Sequence, residues 1–416
     1  MINEKAVRDS ADKTDILFTS VIVPDDVMEE RCKTGAFAPI QQHLFCWSIV
    51  RGLETAFEKP IDILGLQPIE TTWPRSGRFF LSSTRWKRDN GGLFIGLPIL
   101  NLPKIRSVSV FFAMLFYTIW WCCRTRSHRR VIFQVSLNNP LFFATLICRL
   151  LFKLKIVLVV NDPPSDHRVK KVTFLQRFNH AMMFWSINKV DGLIGVTKYV
   201  AMDFAPKIPS MVIESIAHTA VTEEKIDQAR REKKERAEFV FVNVGSLYEE
   251  YGVKLLIDAF LKVPNENVRL RIFGKGPVVP YIEEMAKNDP RIYYGGFVSN
   301  EEALRREMAA DVLVNPRPSD QEFVRYSFPI KLMEYLSTGT ATATTKLACI
   351  PEDYDGHYIP IEDETPEGLA ALLEKLAATP RSELHAVGSK AARFIRENKT
   401  VEIQGKRMAE FIKQLL

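Results

Sequence analysis

The chain has 416 residues, too many for one ordinary hydrophobic core and enough for two domains of about 200 residues each. Hydrophobic residues make up 46% and charged residues 25%, globular proportions that exclude overall disorder. Residues 1–236 hold 34 Lys+Arg against 23 Asp+Glu, a net +11, and residues 237–416 hold 22 against 27, a net −5, so the first half calls for an anionic partner.

The opening residues, MINEKAVRDSADKTD, are polar and contain no apolar run of a secretory leader. DILFTSVIV (15–23) reads as the first buried strand; a glycine turn at Gly35 and an amphipathic helix over 39–57 follow it. IDILGL (61–66), VIFQVSL (131–137), KIVLVVND (155–162) and VDGLIGV (190–196) continue the strands, with helices over 140–153 and 171–188 among them. Residues 107–123, SVSVFFAMLFYTIWWCC, are almost wholly apolar and flanked by Arg106 and the basic run 124–130. Seventeen residues sit at the lower limit for crossing a bilayer, and a crossing would part the two halves of the first sheet. Two readings stay open: a buried core helix, or an interfacial one with Trp120 and Trp121 at headgroup depth and arginines on lipid phosphates. The six cysteines show neither CxxC nor metal-ligand spacing, which fits reduced thiols in a cytosolic protein. No recognised nucleic-acid motif accompanies the basic charge, leaving a membrane surface or a phosphorylated substrate as its partner.

TEEKIDQARREKKERAE (222–238) is a run of mixed charge that suits an exposed helical linker. It divides an N-terminal domain, 1–221, from a C-terminal domain, 239–395, and a last helix over 396–416 is expected to pack back toward the first domain. In the second half FVFVNVG (239–245), VRLRIFG (268–274), RIYYGGF (291–297), DVLVNP (311–316) and TATATT (340–345) alternate with helices. The rhythm of both halves predicts an α/β chain of two Rossmann-like, doubly wound parallel sheets, with a ligand cleft at their carboxyl ends.

The second half gathers four motifs at strand ends: VNVGSL (242–247), IFGKGP (272–277), GGFVSNEE (295–302) and NPRPSDQEFVRYSFPIKLMEYLSTGT (315–340). In the last, a helix is expected with Ser327 as N-cap, Pro329 in its first turn and Gly339 at its end. Lys331 and Glu334 lie three apart and share a face of that helix. Alone, the pair reads as a solvated ion pair of little consequence. Beside Arg317, Arg325 and three glycine turns, it reads as an anion site at a helix start.

The order Gly245-Ser246-Leu247, Gly274-Lys275-Gly276-Pro277, Gly296-Phe297-Val298, then SFPIKLMEYLSTGT resembles the donor-binding half of family 4 glycosyltransferases, and within them bacterial capsular and exopolysaccharide enzymes. GLPILNLPKIR (96–106) and VVNDPP (159–164) extend the resemblance more loosely. It implies a GT-B fold and a retaining, metal-independent transfer of sugar from a nucleoside diphosphate sugar to a glycan or lipid-linked acceptor. It implies no cofactor or metal; the reduced thiols, the 107–123 segment and the basic first half add the expectation of a cytoplasmic enzyme, peripheral at the inner face of the cell membrane. Glu334 matches the acid that holds the donor ribose, a role suited to a carboxylate because it accepts two hydrogen bonds from a vicinal diol. The backbone from Phe328 through Ile330 to Lys331, with Ser327 before it, would receive the diphosphate. Gly245, Ser246, Gly274, Lys275, Gly276, Phe297, Val298, Arg317, Arg325 and Tyr326 complete the implied donor site. Gly35 falls on the acceptor side, where a plain turn explains it equally well. Asp162 matches a catalytic or positioning residue, with a helix N-cap as the alternative.

The chain departs from the pattern at three points. Tyr326 stands where a carboxylate meets the donor sugar, and Ser246 and Tyr251 stand where an arginine and a lysine neutralise the leaving diphosphate. Another source of positive charge is then required. Arg317 is the first candidate, against plain loop solvation, and Lys331 the second, with Lys275 and Arg325 behind them. Asp353-Tyr354-Asp355 is the only Asp-x-Asp and lies in a polar loop beyond the helix; coincidence is the favoured reading over a metal site. Two other functions compete: a GT-B nucleotide-sugar epimerase, and a non-catalytic nucleotide-sugar-binding protein.

Overall fold

A computed structural model of the chain describes residues 14–125, 129–137, 139–161, 174–217, 221–234 and 236–416. It divides into two units, Met1–Ile216 with Val401–Leu416, and Ala217–Thr400. The first unit runs β1 (Thr14–Val21), α1 (Asp25–Lys33), α2 (Ile40–Phe57), β2 (Asp62–Leu66), β3 (Phe80–Leu81), β4 (Thr84–Lys87), β5 (Leu93–Gly96) and β6 (Ile99–Leu100). It continues with α3 (Arg106–Arg124), β7 (Arg129–Val135), α4 (Asn139–Phe152), β8 (Lys155–Val160), α5 (Phe174–Ile187), β9 (Gly192–Gly195), α6 (Lys198–Phe204) and β10 (Ser210–Val212). One eight-stranded sheet takes the order β10-β9-β8-β7-β1-β2-β5-β4, parallel except where β4 meets β5; β3 and β6 form a separate antiparallel pair. The centres of β1 (Ile16-Leu17-Phe18) and β7 (Val131-Ile132-Phe133) and all of β8 after Lys155 are continuous apolar runs, as expected where both faces of a parallel sheet are covered, and Phe18, Phe133 and Val157 are fully buried. The β4–β5 hairpin was not anticipated, although its turn Asp89-Asn90-Gly91-Gly92 holds Gly91 at φ +88°, a hairpin signal.

Helix α3 commits one face to the core. Val110, Met114, Thr118, Trp121 and Cys122 are buried, and Trp121 Nε1 donates to Asp62 Oδ2 at 3.0 Å. Trp121 therefore does not sit at headgroup depth. The i, i+4 stripe Val108, Phe112, Phe116 faces solvent, and Trp120 lies between the guanidinium groups of Arg85 and Arg124 at 5.4 and 5.3 Å.

The second unit runs α7 (Glu223–Lys234), β11 (Phe239–Ser246), α8 (Val253–Phe260), β12 (Val268–Lys275), α9 (Val279–Asn288), β13 (Ile292–Tyr294), α10 (Asn300–Ala309) and β14 (Val312–Asn315). Then follow α11 (Ile330–Ser337), β15 (Ala341–Thr345), β16 (Ile359–Ile361), α12 (Pro366–Ala378) and α13 (Arg381–Asn398). Its six strands are all parallel, in the order β13-β12-β11-β14-β15-β16. Within 222–238, where an exposed linker is expected, Glu223–Lys234 form the first helix of this unit and are packed onto it. Ile226 is buried against Met308 and Ala392, and Lys233 is buried with its Nζ donating to Thr340 Oγ1 at 3.2 Å. Burial pushes the Lys233 ammonium down to about 7, with Arg236 adding to the fall and Asp311 opposing it. Arg236 and Arg381 clasp the buried Asp311 carboxylate, which also accepts from the Val240 amide. The boundary expected at 395/396 is also displaced, since α13 runs through it.

The last helix, α14 (Val401–Leu415), belongs to the first unit and lies on α2. A Cβ on Gly405 would come within 2.2 Å of the Gly52 carbonyl oxygen, so the two backbones meet through paired glycines.

Candidate active site

Three strand ends of the second unit are knitted together by their glycines. Gly245 of β11 stands opposite Gly274 of β12, and Ser246 opposite Lys275. Gly274 has φ +138°, and a Cβ there would lie 1.8 Å from the Gly245 carbonyl oxygen, so only hydrogen fits. The Gly274 amide donates to the Gly296 carbonyl at 2.8 Å, and Tyr294 Oη donates to the Gly274 carbonyl at the same distance. Gly276 is equally confined, its absent Cβ falling 2.2 Å from the Leu247 carbonyl oxygen. The glycines called as site residues thus have a steric duty: they let the strand ends close up.

The helix start differs from the expected one. A 3-10 turn over Glu322–Tyr326 leads into extended backbone at Ser327, and α11 begins at Ile330 with Pro329 at its N-cap and no side-chain cap. Ser327 caps nothing; its carbonyl accepts from Arg317 Nη1 at 3.3 Å. The ring of Pro329 keeps the preceding Phe328 out of the helical region, and Pro329 itself has an extended ψ of 96°, so the helix starts only at Ile330. The helix is pinned to the sheet by buried Tyr335, whose hydroxyl donates to the Val244 carbonyl at 2.9 Å and accepts from the Val244 amide at 2.7 Å. The first turn of α11 is thereby fixed against Gly245.

Lys331 then sits in a row of charges. Its Nζ lies 2.5 Å from Glu334 Oε2 and 3.4 Å from Glu307 Oε1, and its stem passes Gly245, whose absent Cβ would be 3.8 Å from Lys331 Cγ. Glu307, on α10, is buried; burial pushes its carboxyl up to about 7, with Glu334 adding and Lys331 opposing. Burial works against the charge of Lys331, yet Glu334 and Glu307 outweigh it and hold its ammonium above the ordinary lysine value. Glu334 is partly open to solvent, so its carboxylate can accept from a ligand diol. Sequence reasoning missed Glu307 and Tyr335. Glu307 carried a signal, an acid four residues after Ala303 on the apolar stripe of an amphipathic helix.

Arg317 is buried at 5% exposure, its guanidinium 5.3 Å from the Tyr251 ring and 4.7 Å from that of Phe323. The loop that brings Tyr251 there depends on Gly252, which has φ +75° and would place a Cβ 1.9 Å from the Pro316 carbonyl oxygen. The tyrosine at the missing lysine's position therefore lies against another cation. Plain loop solvation does not describe Arg317. Lys275 is exposed, with its Nζ 4.9 Å from the ring of the open Phe297. Arg325 is exposed beside Tyr326, 6.0 Å away, and Ile330 is also open. Phe328 turns its side chain into the core against Tyr354, and half-buried Val298 packs behind β11, so neither side chain faces a ligand. Asp162 lies outside the described residues. Gly35 belongs to the first unit and, contrary to expectation, follows a helix rather than a strand: at φ +68° it ends α1, and Ala36 donates back to the Arg31 carbonyl at 3.0 Å.

Asp353 pairs with Lys399 at 2.9 Å, while Asp355 takes Lys346 at 3.0 Å and the Tyr358 hydroxyl at 3.3 Å. Among the described residues no group of three or more His, Cys, Asp or Glu side chains could hold a metal ion.

Residues 238–379 match the family model described as Glycosyl transferases group 1. No curated protein matches the chain. Among solved structures, sucrose-phosphate synthase from Thermosynechococcus elongatus superposes with a TM-score of 0.64 at 13% identity, covering 97% of this chain and 99% of its own. The Escherichia coli trehalose-6-phosphate protein bound with UDP-2-fluoro glucose gives 0.64 at 12% identity over 97% and 100%. Anabaena HepE in complex with UDP gives 0.59 at 12% identity over 96% and 98%. These likenesses show the fold, two Rossmann-like units of GT-B type. With residues 238–379 matching that domain inside a GT-B fold, the chain is a transferase of the glycosyltransferase class.

Proposed function

We propose that the chain transfers a sugar from a nucleoside diphosphate sugar, with retention at the anomeric carbon, to a glycan or lipid-linked acceptor in polysaccharide assembly. In this reading it builds capsule or exopolysaccharide at the inner face of the cell membrane. The observation that carries the proposal is the row Glu307–Lys331–Glu334 beside Gly245, at the start of α11. As the bond from the anomeric carbon to the diphosphate breaks, charge develops on the leaving oxygen. Preorganised donors in a protected site stabilise such charge strongly. Lys331 and the first amides of α11 supply them, while Glu334 takes the ribose diol and releases Lys331 toward the phosphates. Arg317, stacked on Tyr251, supplies the second cation that Ser246 and Tyr251 no longer provide. The fold is shared with proteins solved with UDP and UDP-2-fluoro glucose, which makes uridine diphosphate sugars the first donors to test.

The test is product formation by purified protein from a panel of nucleoside diphosphate sugars, with the anomer of fresh product read by NMR. An inverted anomer removes the retaining mechanism, and interconversion of the donor sugar would make the protein an epimerase. Ser246, Tyr251 and Tyr326 favour one further reading, a non-catalytic binding protein. Its mark would be tight donor binding without turnover on any acceptor.

A further inference from the structure

The first unit carries a cavity of about 410 Å3 at the carboxyl ends of β1 and β2, bordered by Val21 and Leu66, the last residues of those strands, and by Ile99 at the start of β6. Its lining is mostly apolar, and Arg106 is the one charged residue among the described residues that form it. The Arg106 guanidinium has no ion-pair or hydrogen-bond partner among the described residues. A bare sugar would leave hydroxyl groups unsatisfied against such walls. An apolar chain bearing a single anionic group would not.

Two helices that line this cavity continue into an unusual surface. Arg106, Ser107 and Val110 of α3 and Asn139 and Pro140 of α4 border the opening. Along the same helices Phe112 and Phe116 are 60% and 64% exposed, and Leu150 and Leu151 are 84% and 62% exposed. Neither helix contains an Asp or Glu, while Lys104, Arg106, Arg124 and Lys153 stand at their ends. Open aromatic and aliphatic side chains framed only by cations match an anionic bilayer surface in both polarity and charge.

We propose that the α3–α4 face lies on an anionic bilayer and that the adjoining cavity takes the phosphate-bearing end of a lipid-linked acceptor, Arg106 meeting the phosphate and the apolar walls its first carbons. This rests on the reading of the chain as a glycosyltransferase and narrows its acceptor to an amphiphile with one anionic head.

The experiment uses the full chain, farnesyl phosphate as probe, and farnesol and inorganic phosphate as separate arms, with binding followed by titration. Farnesyl phosphate should bind, farnesol about tenfold or more weaker, and inorganic phosphate should not compete at equal concentration. Arg106→Ala should bring farnesyl phosphate down to the affinity of farnesol. Ser107→Trp, at an exposed rim position, should block both probes without disturbing the core. On phosphatidylglycerol vesicles, Phe112→Ser with Phe116→Ser should abolish the binding that survives high salt, yet leave farnesyl phosphate affinity unchanged. The inference is overturned if farnesyl phosphate fails to bind, if inorganic phosphate displaces it equally, if Ser107→Trp leaves its affinity intact, or if the wild type ignores the vesicles. A UDP-dependent thermal shift, measured in parallel, separates the two readings: its survival alongside lost lipid binding overturns this inference alone.

Discussion

The two sheets share one architecture, yet their carboxyl ends are made of different material. At the second sheet, glycines bring backbones within contact and leave room for a charged row, Glu307, Lys331 and Glu334, with Arg317 stacked on Tyr251. At the first, the same topological position holds an apolar cavity with one arginine. The contrast follows the division of charge, a net +11 over residues 1–236 and −5 over 237–416. The basic half is basic at its surface and helix ends, whereas the acidic half places cations against its candidate ligand. Net charge of a domain is therefore no guide to the polarity of its cavity.

The largest expected effect separates the two faces of α3. Trp121→Ser should cost about 3–5 kcal/mol of stability, since it empties a core site and leaves Asp62 without its indole donor. Phe112→Ser, on the open stripe, should cost no more than about 0.5 kcal/mol. Urea unfolding of both variants checks the pair; equal small losses would return Trp121 to the surface.

Next comes the donor site. Glu334→Ala should weaken binding of a nucleoside diphosphate sugar by roughly 2–4 kcal/mol, the loss of two charge-assisted hydrogen bonds to a diol. Calorimetric titration reads it directly. Arg106→Ala should leave donor affinity where it was, which sharpens the division of labour between the two sheets. An unchanged affinity in folded Glu334→Ala would remove the ribose assignment.

Why the second site was more legible than the first follows from how each is assembled. Lys331 and Glu334 sit three residues apart on one helix, and each glycine turn ends a strand, so short stretches carry the pattern. The first cavity draws on segments from Val21 to Met183, with no local spacing to betray it. Within the legible half, failures have particular causes. Ser327 looks like an N-cap because propensity favours serine there, but a 3-10 turn and Pro329 move the cap two residues on. The charged stretch 222–238 looked solvated because its polar residues outnumber Ile226, the residue that anchors it. Glu307 escaped because an acid on a helix reads as surface until its neighbours are known.

A smaller effect tests the stacked cation. Arg317→Lys keeps the charge but loses the planar contact with Tyr251 and Phe323, so kcat should fall about tenfold, near 1.4 kcal/mol, with donor KM little changed. Equal loss in KM and stability would make Arg317 a structural residue only.

A pH effect of stability probes Glu307. Its carboxyl is raised by burial from 4.5 to about 7, so between those values the folded chain holds a proton the unfolded chain has lost. Stability should therefore fall as pH rises from 4.5 to 7, and stay level with respect to this group outside that window. In Glu307→Gln the fall should flatten. Unfolding midpoints at pH 5 and pH 8, wild type against variant, give the comparison; an unchanged slope would place Glu307 outside the titrating row.

The smallest expected effect is none at all. Asp353 and Asp355 are each held by a lysine, Lys399 and Lys346, and Asp355 also accepts from Tyr358. A divalent ion between them would have to displace both ammonium groups. In the proposed function the leaving diphosphate goes to Lys331, Arg317 and the amides of α11, which requires no such displacement. Turnover should then persist after dialysis against EDTA, at a rate that added magnesium or manganese does not raise. Asp353→Asn and Asp355→Asn should likewise leave kcat unchanged; loss of the exposed Asp355–Lys346 pair should cost little stability, whereas Asp353→Asn weakens the partner of the buried Lys399 and should cost more. If EDTA abolishes turnover and manganese restores it in wild type but not in the Asp355→Asn variant, the cation site lies in the 353–355 loop. The role given to Arg317 and Lys331 would then fall to the metal.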